Sequence, residues 1–123
     1  MRLLLVLGIL ILNSAFATAQ NAEFSFSKKI HKFDHTPEGQ SLSCSFEFTN
    51  TGNVPLIITN YEVECTCTKA TYPTQPILPG EKGTIHVTFD TKGKIGWQYR
   101  KVRLIANTKA GFDEVEFRVK VKN

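Results

Sequence analysis

Leu42-Ser43-Cys44-Ser45-Phe46-Glu47-Phe48-Thr49 is the stretch that decides the fold. Apolar and polar residues alternate through it without a break. In an extended strand successive side chains point to opposite faces, so Leu42, Cys44, Phe46 and Phe48 share one side of a sheet. A period of two with one apolar parity predicts a strand with one buried and one wet face. The same rhythm recurs along the chain. Phe24 and Phe26 open it, with Ile30 and Phe33 further along. Tyr61, Val63, Cys65 and Cys67 share a parity, as do Ile85, Val87 and Phe89. Val102, Leu104 and Ala106 follow, then Val115, Phe117, Val119 and Val121. Sustained helical spacing is not found in this part of the chain.

Turn chemistry separates these runs. Asn50-Thr51-Gly52-Asn53 offers residues that tolerate positive φ. Pro55 suits the first position of a strand, where no ladder donor is needed. Pro79-Gly80 suits the middle of a type II turn. Lys92-Gly93-Lys94 and Lys109-Ala110-Gly111 fill the last two connections. Residues 71–79 hold Pro73, Pro76 and Pro79 and predict a loop or a broken edge strand. About seven short strands at this spacing predict an all-β, immunoglobulin-like antiparallel β-sandwich.

The N-terminus reads differently. Arg2 gives a basic start, residues 3–12 form an apolar run, and Ala17-Thr18-Ala19 matches a small-residue cleavage signal. This predicts a signal peptide over residues 1–19 and an immunoglobulin-like domain over residues 20–123. The apolar run falls short of the ~20 residues of a membrane span, and no cysteine at the cleavage point would carry a lipid. The expected location is secreted or periplasmic. The net charge of +4, from fifteen Lys and Arg against eleven Asp and Glu, is modest. It comes with no aromatic-plus-basic nucleic-acid motif.

The runs are similar to a known family. Phe46-Glu47-Phe48-Thr49-Asn50-Thr51-Gly52 with Pro55, Leu56 and Ile58 resembles the first motif of the bacterial domain of unknown function 1573. Cys65-Thr66-Cys67-Thr68, Pro79-Gly80-Glu81-Lys82-Gly83 with Ile85, and Asp90-Thr91-Lys92-Gly93 with Gly96 resemble the next three, in the same order. The resemblance implies an immunoglobulin-like fold related to the major-sperm-protein, ASH and pilus-chaperone domains. It also implies export in Gram-negative bacteria, notably Bacteroidetes, and it implies no activity. Two departures stand out. Thr66 occupies the place of a glycine, and Glu64 that of a serine. Cys44 is a cysteine that the family pattern does not require.

The three cysteines leave several readings open. Taken as extended, residues 61–68 put Cys65 and Cys67 about 6.6 Å apart on one side, with near-parallel Cβ vectors. A bridge between them then needs a kink, which the β-branched Thr66 disfavours. A disulfide from Cys44 to Cys65 or Cys67 is open, because both parities face the core and an exported chain meets oxidising conditions. A Cu(I) site or a redox role at Cys65 and Cys67 is a second reading, and three small buried hydrophobes a third. His31, His35 and His86 read as surface residues. Nothing predicts catalysis: Glu62 with Glu64, and Glu114 with Glu116, read as solvated pairs on strand faces.

On outward parity the last two strands carry Tyr99, Lys101, Arg103, Arg118, Lys120 and Lys122, while Trp97, beside Gly96 at a strand start, reads either as a core or rim residue or as a binding-platform aromatic. Cross-strand pairing would gather them into a basic stripe beside Glu114 and Glu116. The stripe reads either as a solubilising face or as a contact for an anionic glycan. The expectation is therefore a non-enzymatic interaction or structural module of the envelope, with no cofactor. Its expected partner is another envelope protein, engaged through an edge at residues 69–79. The alternatives are the thiol-based role and glycan binding.

Overall fold

The structure is a computed structural model, and it describes residues 20–123. The expected signal peptide at residues 1–19 lies outside the described residues. Among those described no helix occurs, and nine strands follow one another. They are β1 (Phe24–Phe26), β2 (Ile30–Lys32), β3 (Thr36–Pro37), β4 (Ser41–Asn50) and β5 (Ile58–Val63). The remainder are β6 (Thr68–Thr71), β7 (Lys82–Asp90), β8 (Gly96–Ala106) and β9 (Phe112–Lys122).

The strands form two sheets, a four-stranded one in the order β1-β4-β7-β6 and a five-stranded one in the order β2-β9-β8-β5, with β3 also on β9. The apolar parities predicted from sequence become the two inner faces. Phe46, Phe48, Ile85, Val87 and Phe89 on one sheet meet Val102, Leu104, Val115, Phe117 and Val119 on the other, each at most 2% exposed. The Phe89 and Phe117 ring centroids lie 5.0 Å apart across the core.

Most of the family-like residues serve this architecture. Asn50 is fully buried. Its Oδ1 accepts from Gly52 N–H at 2.9 Å and Glu23 N–H at 3.2 Å. Its Nδ2 donates to Val54 O at 2.8 Å and Ile77 O at 2.9 Å. One side chain thus ties the N-terminal segment, the turn and the 72–81 connection. Gly52 has no room for a side chain, because an added Cβ would collide with the backbone of Asn21 and Ala22. At residues 78–81 Glu81 N–H donates to Leu78 O at 2.9 Å, and Gly80 takes a φ of 83°, which is the predicted type II turn.

The expected all-β sandwich is present, antiparallel except where the short β2 and β3 run parallel to β9. One expectation needs correction. The strand expected through Cys67 ends at Val63, because the chain there leaves the five-stranded sheet for the four-stranded one. Residues 69–79 are the expected broken edge, with β6 the last strand of its sheet and residues 72–79 irregular apart from a bridge at Ile77, yet they are pinned. Thr68–Thr71 pair with β7, Tyr72 Oη donates to Thr59 O at 3.1 Å, and Leu56 and Ile77 exchange hydrogen bonds of 2.8 and 2.9 Å.

Candidate binding face

The outer face of β8 and β9 is built by register. Trp97 stands opposite Lys120, Tyr99 opposite Arg118, Lys101 opposite Glu116, and Arg103 opposite Glu114. Tyr99, Lys101, Arg103, Arg118 and Lys120 are found on the face expected for them, and Trp97 joins them there. They do not form an unbroken basic stripe, however, because carboxylates interleave. Arg103 Nε and Nη2 donate to Glu114 Oε1 at 3.1 and 2.9 Å, and its guanidinium lies 4.1 Å from the Phe112 ring centroid. Arg118 Nη2 donates to Glu116 Oε2 at 2.9 Å. Those ion pairs neutralise the Arg103 end and leave a different character around Trp97.

At that end two aromatic rings are held in the open. Trp97 is 54% and Tyr99 57% exposed. Their centroids lie 6.1 Å apart with planes 20° from parallel. The cross-strand cations brace them: the Arg118 guanidinium is 5.7 Å from the Tyr99 ring and Lys120 Nζ 6.0 Å from the Trp97 ring. Both distances suit cation–π attraction. Gly96, with a φ of 83°, starts the strand and sets the direction of Trp97.

The β2–β3 edge completes the site in a way the sequence does not announce. Lys32 pairs with Arg118 and Thr36 with Val121, so the edge takes four steps where β9 takes three. The one extra residue is a bulge, a device that re-aims side chains. Phe33 N–H still donates to Arg118 O at 2.9 Å, and Phe33 packs inward on Phe117. Thr36 is buried again. The excess therefore falls on Asp34 and His35, which are both exposed. The His35 ring meets Trp97 edge-on, with centroids 6.0 Å apart and planes at 88°. The result is an open groove of about 530 Å³ lined chiefly by Lys32, Asp34, His35, Trp97, Tyr99 and Arg118. Its volume falls within the range of small-molecule sites. Sequence reasoning missed Lys32, Asp34 and His35, because a single inserted residue leaves no periodic mark. His31, four residues before His35, sits apart from it against Phe33. Burial, and then the charge of Lys28, hold its pKa below the usual 6.5.

The cysteines are arranged otherwise than expected. Cys65 and Cys67 are bonded to each other, with Cα atoms 5.1 Å apart. Thr68 N–H donates to Cys65 O at 3.0 Å, so residues 65–68 form a turn where the chain crosses between sheets. That turn brings the Cα atoms closer than the ~6.6 Å of a strand. It does so without positive φ at Thr66. The bridge from Cys44 to Cys65 or Cys67 is therefore corrected, and Cys44 is a buried thiol. Cys44 lies opposite Val87, which lies opposite Ala70. It is thus two strands and three residues from Cys67, roughly 14 Å at standard sheet spacing, beyond disulfide reach. Burial pushes the Cys44 thiol up to about 11, Lys28 partly opposing it. With the Cys65 and Cys67 sulfurs joined, the pair offers no thiolates to a soft metal ion.

Comparisons place this geometry among known proteins. The model of the family described as protein of unknown function (DUF1573) matches residues 24–121. A protein of unknown function from Porphyromonas gingivalis W83 superposes with a TM-score of 0.71 at 15% identity, over 88% of this chain and 51% of that one. The ASH/PapD-like domain 7 of human CEP192 superposes with a TM-score of 0.63 at 9% identity, over 89% of this chain and 92% of that one. The VesB protease of Vibrio cholerae gives 0.62 at 17% identity, over 81% of this chain and 32% of that one. At these identities the likeness is one of fold. The chain spans between about a third and a half of the length of the VesB and P. gingivalis proteins. No curated protein matches the sequence.

Proposed function

Because the chain belongs to the DUF1573 family, with an immunoglobulin-like sandwich akin to ASH/PapD-like domains, we propose that it is an exported, non-enzymatic binding module of the bacterial envelope. Its binding face is the outer side of the five-stranded sheet at Trp97 and Tyr99. The observation that carries this is the pair of near-parallel, half-exposed rings on rigid strands beside the His35 wall. Leaving a large apolar side chain in water forgoes about 1.5–3 kcal/mol of burial each. A face that served solubility alone would not need two such rings side by side.

Catalysis has weaker support. Ser45 Oγ and His86 Nδ1 lie 2.8 Å apart, which is nucleophile–base distance. Both stand exposed on the other sheet, and among the described residues no carboxylate bonds to His86 to orient it as a base. The domain immobilised and exposed to solubilised native envelope will retain material, and Trp97→Ala with Tyr99→Ala will lose it. Equal retention by that variant overturns the proposed face.

A further inference from the structure

Resting on that reading of the face, we infer that its ligand is an acidic glycan, with a pyranose ring stacked on Trp97 and Tyr99 and a carboxylate held by Lys32 and Lys120. The groove presents flat π-surfaces flanked by polar groups. That suits a pyranose, which has an apolar C–H face and a rim of hydroxyls. His35, standing edge-on to Trp97, closes one side of the platform and brings ring nitrogens to it. Asp34 on the rim accepts hydroxyl protons, and Lys32 donates.

The charge balance sets the acidic preference. Arg118 is engaged by Glu116 at 2.9 Å. Lys32 and Lys120 are in none of the ion pairs found among the described residues. Lys32 lines the groove and Lys120 stands next to it at the Trp97 ring; against these two ammonium groups the groove sets one rim carboxylate, Asp34, leaving one cation in surplus. A polypeptide partner is less well matched. The apolar surface at Trp97 and Tyr99 is separated from Ile105 and Phe112 by the charged rows Lys101–Glu116 and Arg103–Glu114. The patch is thus small against the ~800 Å² per partner of a stable protein interface.

Trp97 is the sole tryptophan of the chain, so its fluorescence reports directly on the groove. Trigalacturonate and a hyaluronan tetrasaccharide are the acidic probes. Maltotriose and chitotriose are the neutral comparators, and pentaglutamate is the non-sugar acid. Saturable change in Trp97 emission with at least one acidic sugar, at least tenfold weaker for every comparator, is the expected result. Calorimetry will show Trp97→Ala weakening that binding at least about tenfold. Lys32→Gln and Lys120→Gln will weaken it about threefold each at low salt, with melting temperatures unchanged. Equal binding of neutral sugars overturns the acidic assignment, and equal binding of pentaglutamate overturns the glycan in favour of an acidic peptide. If no probe binds while the Trp97→Ala, Tyr99→Ala variant still loses envelope material, the glycan inference falls and the binding face stands. If that variant loses nothing, both fall.

Discussion

Replacing Asn50 by Ala deletes four hydrogen bonds from a fully buried side chain. A buried hydrogen bond contributes about 1 kcal/mol net, and more when its partner is left unsatisfied. Water can reach some of the stranded partners, since Glu23 is exposed and Gly52 half-buried. Ile77 O keeps a second donor in Leu56 N–H at 2.8 Å. The expected loss is therefore about 3 kcal/mol. For a domain of this size that lowers the melting temperature by roughly 12–20 °C. Asn50→Asp sharpens the test. It keeps the Oδ1 acceptor for Glu23 and Gly52 N–H but sets a second carboxylate oxygen against Val54 O and Ile77 O, where Nδ2 now donates. At pH 7 it will be less stable than Asn50→Ala, and it will recover as the carboxyl protonates in acid. Urea unfolding followed by circular dichroism measures all three proteins. An Asn50→Ala variant within about 1 kcal/mol of the parent, or an Asp variant no worse than Ala at pH 7, would refute the assignment of Asn50 as the hub of this end.

Three further outcomes follow from the packing and the cysteines. Gly83→Ala places a Cβ 2.5 Å from Cζ of Phe48, a buried ring also packed on Phe24, and will cost about 1–3 kcal/mol in chemical denaturation. Alkylation with mass spectrometry will find no reactive thiol in the folded protein, one (Cys44) after unfolding without reductant, and three after unfolding with it; a lone label on Cys65 or Cys67 would mean that Cys44 is bridged after all. His31 is held below 6.5 in the fold, so its contribution to stability is full above pH 6.5 and is lost as pH falls through the lower folded value. His31→Gln will flatten the acid side of the melting-temperature profile, and an unchanged profile would show that other groups set it.

The inner faces of the sandwich were legible because burial acts on every second residue of a strand. Leu42 through Phe48, Ile85 through Phe89 and Val115 through Val121 each carry that alternation, and all but the half-buried Leu42 of those apolar residues are buried. Gly80, Gly93 and Gly111 were legible as turns for a similarly local reason, since each takes positive φ. The candidate site was legible only in part. Strand parity put Tyr99, Arg118 and Lys120 on one face and left Trp97 open between rim and platform, but their wall depends on a single extra residue in an edge that pairs in parallel with β9. Edge pairing and bulges are set by tertiary contacts and leave no period. The Cys65–Cys67 bond was missed for a related reason. Residues 61–68 continue the alternation of a strand, yet the chain must change sheets there, and the turn that does so overrides the pattern.

The central claim, that this module binds through the Trp97 end of the β8–β9 face, is tested most directly by amide chemical-shift mapping. The ¹⁵N-labelled domain is titrated with the envelope material that it retains. Shifts concentrated at residues 32–36, 96–100 and 117–120 are the predicted result. Shifts concentrated instead on β6 (Thr68–Thr71) and the disulfide turn before it would contradict the claim and make the strand edge the binding surface.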